Sequence, residues 1–471
     1  MSRTALRRRL PVLGAVAIGL ASLWTGPVAT AAPSRQLPPG TRFFVPAPNA
    51  GAVTQVKELT AAKEHRNAAL IKRMINTPQA VWFTGGTPAE VKAKAKATVA
   101  AATRRHEVPV LVAYDIPFRD CAQYSSGGAL STADYLAWID GFASGIGKAK
   151  AVVLLEPDGL GIIPFNTDIN GNAEWCKPAD TEGNPQPGAS STERYKALNG
   201  AVDRLGRQPN VSVYLDATHS GWLGVGDAAD RLVKAGVQRA QGFFLNVSNY
   251  QTTERQQKYG TWISSCIAYA NNPQDGGWRL GNYSWCGSQY YPASSGDFST
   301  WGLTDQWYAD NLGTAVPTTH FVVDTSRNGQ GPNDMSAYAG APYNQPADVV
   351  SRLASGNWCN PPGRGLGLRP TARTGVPLLD AYLWVKLPGE SDGSCDSAAG
   401  ARAWDFEVYN PWNVASADQS HFDPLWGMVD PAAGQWFAQQ ALELAQQADP
   451  PLISGPKPPL VPGPKPPLPP R

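Results

Sequence analysis

Neither sign of charge dominates this chain: 40 Lys and Arg stand against 38 Asp and Glu in 471 residues. The clustered basic excess of a nucleic-acid-binding protein is missing, so no nucleic-acid partner is expected. Histidine is scarce, with five residues at 65, 106, 219, 320 and 421. No two of them have ligand spacing and no C-x-x-C occurs, which leaves nothing to build a zinc centre. The G-x-x-x-x-G-K-[ST] loop, the G-x-S-x-G elbow and the H-E-x-x-H helix are absent too. Asp168-x-Asn170-x-Asn172 has the alternation of a calcium loop, but Gly171 is misplaced and the bidentate Glu is missing, so it reads as a turn-rich loop. No metal and no cofactor are therefore expected. Beyond the first thirty residues no apolar run reaches bilayer-spanning length, which predicts a mature protein without a membrane span.

Tryptophan is abundant, with 16 residues against only 4 Met, more than a core of this size requires. Flat stacking surfaces for a ligand are the natural use of the excess. Arg3 and Arg7 to Arg9, the apolar stretch Leu10 to Trp24 and Ala29-Thr30-Ala31 read as a secretory signal over residues 1–31, so the mature protein is expected to be secreted and extracellular. Its removal takes four Arg and no acid, leaving 36 basic and 38 acidic residues. Residues 32–41 read as a flexible lead-in. From Pro450 to Arg471 half of the 22 residues are proline, with GPKPPL at 455–460 and again at 463–468, the composition of an extended tail. Residues 42–449 remain for one catalytic-sized domain, and a monomer is expected. Export gives Cys121, Cys176, Cys266, Cys286, Cys359 and Cys395 a disulfide reading, with fifteen possible connectivities.

Short β-branched apolar runs recur at Ala80 to Thr84, Val108 to Ile116, Ala151 to Leu155, Val211 to Leu215, Gly242 to Asn246, His320 to Val323 and Ala381 to Val385. Between them, Ser131 to Ile146, Ser191 to Leu205 and Asp227 to Ala240 carry helical spacing behind Ser or Asp. Seven strands alternating with helices predict an α/β fold with a parallel sheet. Polar residues collect just past the runs: Asp115, Arg119 and Asp120; Glu156 and Asp158; Asp216, His219 and Trp222; Asn246, Ser248 and Asn249; Asp324 and Arg327; Lys386, Glu390 and Asp392. In a parallel barrel those ends share one face, where the active sites of such folds lie. Glycosidic cleavage needs two carboxyl groups, one protonated and one ionised, with Trp faces to hold the sugars. Asp120 and Asp158, on adjacent strand ends, can hold one proton at neutral pH because two close like charges cannot both ionise cheaply.

The blocks Val112-Ala113-Tyr114-Asp115-Ile116-Pro117-Phe118-Arg119-Asp120-Cys121, Leu155-Glu156-Pro157-Asp158, Tyr214-Leu215-Asp216-Ala217-Thr218-His219-Ser220 and Trp384-Val385-Lys386-Leu387-Pro388-Gly389-Glu390-Ser391-Asp392-Gly393 resemble glycoside hydrolase family 6, the inverting cellulases. Asn246-Val247-Ser248-Asn249-Tyr250, Val323 to Gly329 and Trp358-Cys359-Asn360-Pro361 extend the resemblance from about Thr41 to about Ala448. It implies a distorted seven-stranded parallel β/α barrel. It also implies Asp158 as general acid, Asp120 as its proton relay held by Arg119, Tyr114 crowding the reacting ring, Asp392 as the base and Asp216 orienting the others. Trp82, Trp222 and Trp384 would stack glucose, and Lys386, Glu390, Ser126 and Asn249 would contact it. Trp138 and Trp436 read as core, Glu156 as a support for the fold and His219 as a structural donor.

The family pairs Cys121 with Cys176 and Cys359 with Cys395, which leaves Cys266 to Cys286. Residues 260–316, with five Trp, and 396–430 read as insertions flanking the cleft, and the loop from Gln123 to Leu130 as mobile. The activity implied is endoglucanase action on cellulose or another β-1,4-glucan. The alternatives are a cellobiohydrolase and a non-catalytic carbohydrate-binding barrel.

Overall fold

A computed structural model describes residues 37–122, 124–273, 277–293, 296–353, 358–394, 422–423 and 425–455. The predicted signal, most of the predicted tail and Cys395 lie outside them. Seven strands run in chain order across one parallel sheet: β1 (Val81–Phe83), β2 (Val110–Ala113), β3 (Ala151–Leu155), β4 (Val211–Asp216), β5 (Gly242–Leu245), β6 (His320–Asp324) and β7 (Leu379–Leu383). The sheet curls without closing. Between β1 and β7 no ladder forms, and Ala80 N–H donating to Trp384 O (2.9 Å) and Trp82 Nε1–H donating to Val385 O (2.8 Å) join the two edges.

Alternation along each strand sorts the core into two layers, because successive side chains leave opposite faces. Leu111, Val153, Val213, Phe243 and Phe321 face the helices, whereas Val110, Val112, Val152, Leu154, Tyr214, Phe244 and Val322 fill the barrel interior. The helices begin where side chains can cap them. Ser131 accepts from Asp134 N–H ahead of Thr132–Ile146, and Ser190 accepts from Glu193 N–H ahead of Ser191–Leu205. Trp138 is buried in the first of these, as its spacing predicts.

Of the boundaries that differ from the sequence reading, two have a cause visible in the backbone. The helix expected from Asp227 to Ala240 spans Val225–Lys234 and stops before Gly236, whose φ of 88° cannot continue it. The last strand lies two residues earlier than the run Ala381 to Val385. The backbone N–H groups of Val385 and Lys386 donate to the Asp324 carboxylate (3.1 and 3.0 Å) instead of to a neighbouring strand, so the chain leaves the sheet there.

The supposed insertion 260–316 is also partly scaffold. It starts inside the helix Thr253–Ala270, where Trp262 is buried, and includes the helix Trp301–Asn311. None of its described residues lines the main cleft. Cys266–Cys286 and Cys121–Cys176 are bonded, as expected; the third expected pair involves Cys395, outside the described residues. No helix among the described residues is long and apolar enough to cross a membrane.

Candidate active site

The carboxyl ends of the strands open into a cleft of about 690 Å³. Its walls hold Trp82, Tyr114, Arg119, Asp120, Ser126, Asp158, Trp222, Asn249, Lys386, Glu390 and Asp392, eleven of the thirteen catalytic and substrate contacts that the sequence suggests. The strand-to-loop turns that deliver them are strained. Phe118, Asp120 and Cys121 after β2, Glu156 and Asp158 after β3, Thr218 after β4, and Asn246 and Ser248 after β5 all have φ between 39° and 69°. Non-glycine residues avoid this region, and such strain collects at functional sites. Glu156, fully buried, anchors one turn by accepting from Asp115 and Ile116 N–H (3.0 and 3.1 Å), the supporting role expected of it.

Three aspartates in the cleft have divergent acidities. Burial, then the negative charge of Asp392, raises Asp158 to about 7, against a smaller opposing pull from Lys386. Burial, then the charge of Asp158, raises Asp120 to about 8, although Ser125 N–H donates to its Oδ2 (2.9 Å). Burial would raise Asp392 as well, but two cations outweigh it and hold the group at about 2. Arg327 Nη1–H donates to its Oδ2 (2.8 Å), Lys386 Nζ–H sits 3.0 Å from its Oδ1, and Asn360 N–H also donates to Oδ2 (3.0 Å). One cleft therefore keeps a protonated carboxyl and a permanent carboxylate side by side at neutral pH, the separation of roles that acid-catalysed bond cleavage requires.

Aromatic rings frame these groups. Trp82 meets Tyr114 edge to face at 5.3 Å, and Arg119 stacks over Tyr114 at 4.6 Å. Trp222 is 37% exposed and rests against Gly161, where any Cβ would come within 2.8 Å of the ring. Glu390 also lines the cleft and accepts from Asn49 Nδ2–H (2.9 Å).

Three expectations change. Trp384 is 1% exposed, packs with Leu70, Ile71 and Met74, and donates its Nε1–H to Leu368 O (2.9 Å). It offers no face to a sugar, because the departure of the chain after Leu383 turns it into the core. Arg119 does not hold Asp120: its guanidinium donates to the carbonyls of Tyr114, Thr84 and Ser125, and its charge reaches Asp120 only as a minor lowering influence.

His219 accepts from Gly221 N–H through Nδ1 (3.1 Å), and burial lowers it to about 4, which keeps it neutral with its one N–H on Nε2, free to act as the donor expected. The loop beyond residue 123 is tied down. Arg119 N–H donates to Gly127 O (3.1 Å) and Ala129 N–H to Asp115 O (2.8 Å), while Gly128, at φ 99°, passes so close to Ile116 O that a Cβ would lie 2.0 Å from it. Asp216, at the end of β4, lies behind the wall, where its Oδ1 accepts from Thr218 N–H (3.0 Å); burial, then Asp158, raises it well above the usual range.

Sequence reading missed Arg327 as a site residue. It is 1% exposed, stacks over Tyr250 at 4.6 Å and carries the charge that fixes Asp392. Its position three residues past Asp324 was visible, but its partner lies 65 residues away. Tyr124, Trp175 and Trp358 also line the cleft.

The model of the glycosyl hydrolases family 6 matches residues 39–448. Endoglucanase 1 of Streptomyces sp. (strain KSM-9) is 34% identical over 341 residues, 72% of this chain and 70% of that protein. Endoglucanase 1 of Streptomyces halstedii is 34% identical over 343 residues, 72% of this chain and 79% of that one. The solved endoglucanase of Mycobacterium tuberculosis, in complex with methyl-cellobiosyl-4-deoxy-4-thio-β-D-cellobioside, superposes with a TM-score of 0.55 at 31% identity, covering 87% of this chain and 97% of that one. With the strand order, the carboxylate cleft and a family match spanning the whole described barrel, this chain belongs to the glycosyl hydrolases of family 6.

Proposed function

We propose that this protein is a secreted endoglucanase that hydrolyses internal β-1,4 bonds of cellulose with inversion. The observation that carries the reading is the pair Asp158 and Asp392, set at about 7 and about 2 in one tryptophan-walled cleft. A binding module has no use for that separation, and the relatives named above are endoglucanases. The cellobioside held by the Mycobacterium tuberculosis neighbour is the kind of ligand the Trp82 and Trp222 faces suit. Two disulfides fit an oxidising exterior.

In this mechanism Asp158 gives its proton to the glycosidic oxygen as the bond to the anomeric carbon breaks. Tyr114, neutral and wedged against Trp82, presses the ring toward the flattened shape of the resulting cation. Asp120, still protonated near neutrality, feeds a proton back toward Asp158. Asp392 supplies the fixed negative charge facing the cation and receives the proton of the attacking water. A group held near 2 is a weak base, but water bonding to a carbon that carries most of a positive charge is a strong acid, so a weak base is sufficient. Asp216 supports the turn after β4 and contributes through Asp158.

The test compares viscosity with reducing ends released from carboxymethyl cellulose, for the wild type and Asp158→Ala. The expected result is a steep viscosity drop per bond cut that the variant lacks. Reducing ends without loss of viscosity would replace the endo mode by release from chain ends, and equal inactivity of both proteins would leave only a binding role. Proton NMR of the first products should show the α-anomer, as inversion requires.

A further inference from the structure

Among the described residues, four tryptophans are more than a third exposed: Trp175 at 36%, Trp222 at 37%, Trp278 at 49% and Trp285 at 49%. Large apolar rings left in water in one region mark a binding surface. A second cavity of about 350 Å³ is lined by the first two, Trp175 and Trp222. It shares Trp175 and Trp222 with the main cleft, and Ser284 and Cys286, the two neighbours of Trp285 in the chain, also line it. Trp285 in turn lies 5.4 Å from Trp278, ring to ring.

The outer pair is braced. Arg279 stacks against both Trp278 (5.0 Å) and Tyr269 (4.7 Å) and donates to Asn311 O (2.8 Å). The Cys266–Cys286 disulfide ties the segment carrying Trp285 to the helix Thr253–Ala270. Neither ring is needed by the core, yet both are held in place, as a preorganised stacking surface would be.

We propose that the catalytic cleft continues past Trp222 through this second cavity to Trp285 and Trp278, so that a long glucan chain bound for cleavage is gripped well beyond the bond being cut. The inference rests on the endoglucanase reading and adds a preference for long chains. Flat pyranose faces suit the exposed indoles. Ser284 lines the second cavity and is exposed.

The test uses the full chain and two variants, Trp278→Ala/Trp285→Ala and Ser284→Arg, the second placing a bulky charge in the path. Substrates are cellotetraose, short enough for the main cleft alone, and long carboxymethyl cellulose. Removing the two stacking rings should raise KM for the long chain about tenfold, with kcat/KM on cellotetraose unchanged and Tm unaltered. Ser284→Arg should reproduce the long-chain defect. A double variant with wild-type KM on the long chain, or with an equal loss on both substrates, would overturn the proposal, as would a silent Ser284→Arg. A wild type inactive on every glucan would instead remove the endoglucanase reading, and the track with it.

Discussion

At the scale of single residues, the chemistry depends on which charges face each other. Asp158 keeps its proton near neutrality because of burial and the Asp392 charge. Replacing Asp392 by Asn removes one raising influence and leaves Arg327 and Lys386 unneutralised beside the acid, so the Asp158 pKa must fall. The expected result is loss of most activity, about a hundredfold or more, with the Asp158 titration moved to lower pH in carboxyl-carbon NMR; an unmoved titration would show that Asp392 does not set the acid. Asp120 titrates next to Asp158, at about 8, so two protons leave the cluster over the same range. Asp120→Asn should therefore reduce the alkaline limb of the pH–rate profile from a two-proton to a one-proton slope, and an unchanged profile would eliminate the relay.

At the scale of elements, the step from β6 to the loop after β7 decides the geometry. Asp324, buried at the end of β6, accepts from Ser326, Val385 and Lys386 N–H groups. Those bonds end β7, bury Trp384 and start the segment that presents Lys386 and Asp392. Asp324→Ala leaves three donors unsatisfied in the interior, a loss of about 2–4 kcal/mol. Lys386 should then fail to hold Asp392. Thermal melts should show a lower Tm and kinetics a lower kcat; wild-type kcat in a destabilised variant would mean that this junction serves stability alone. The same junction explains why the last strand was misplaced on sequence grounds. Ala381 to Val385 has the composition of a strand throughout, and only the carboxylate of a neighbouring strand diverts its final residues.

At the scale of the whole molecule, buried carboxyl groups in and around the cleft make stability depend on pH. Asp115 at about 6, Glu156, Asp158 and Glu443 at about 7, and Asp120 at about 8 all lie above their unfolded values near 4. The folded state thus binds more protons between pH 4 and 8, and the stability these groups contribute is full below pH 4 and is lost as pH rises through 6 to 8. Asp392 acts in the opposite sense: its contribution is present above about pH 4 and is lost as pH falls toward 2. Tm should decline from pH 5 to pH 8, and Asp158→Asn, which keeps a residue tolerant of the left-handed turn, should raise Tm at pH 8 and flatten that decline. A wild-type Tm that does not change over this range would contradict the acidities assigned to these carboxyl groups.

Much of this was legible in the linear order of residues. Seven apolar runs, the polar residues just after each, and the motif blocks from Val112 to Gly393 determined the family, the parallel strand order and most of the cleft, because strand periodicity and strand-end chemistry are local. Pairing across the fold was not local. That Arg327 meets Asp392, that Ser125 instead of Arg119 holds Asp120, and that Trp384 turns inward while Trp175 turns out depend on where the barrel curls and on which backbone groups remain to be satisfied. The sequence by itself determined most of the residues that reach the catalytic face. Only the tertiary structure decided which carboxyl keeps its proton, since burial and opposing charges are arranged by chain segments far apart in sequence.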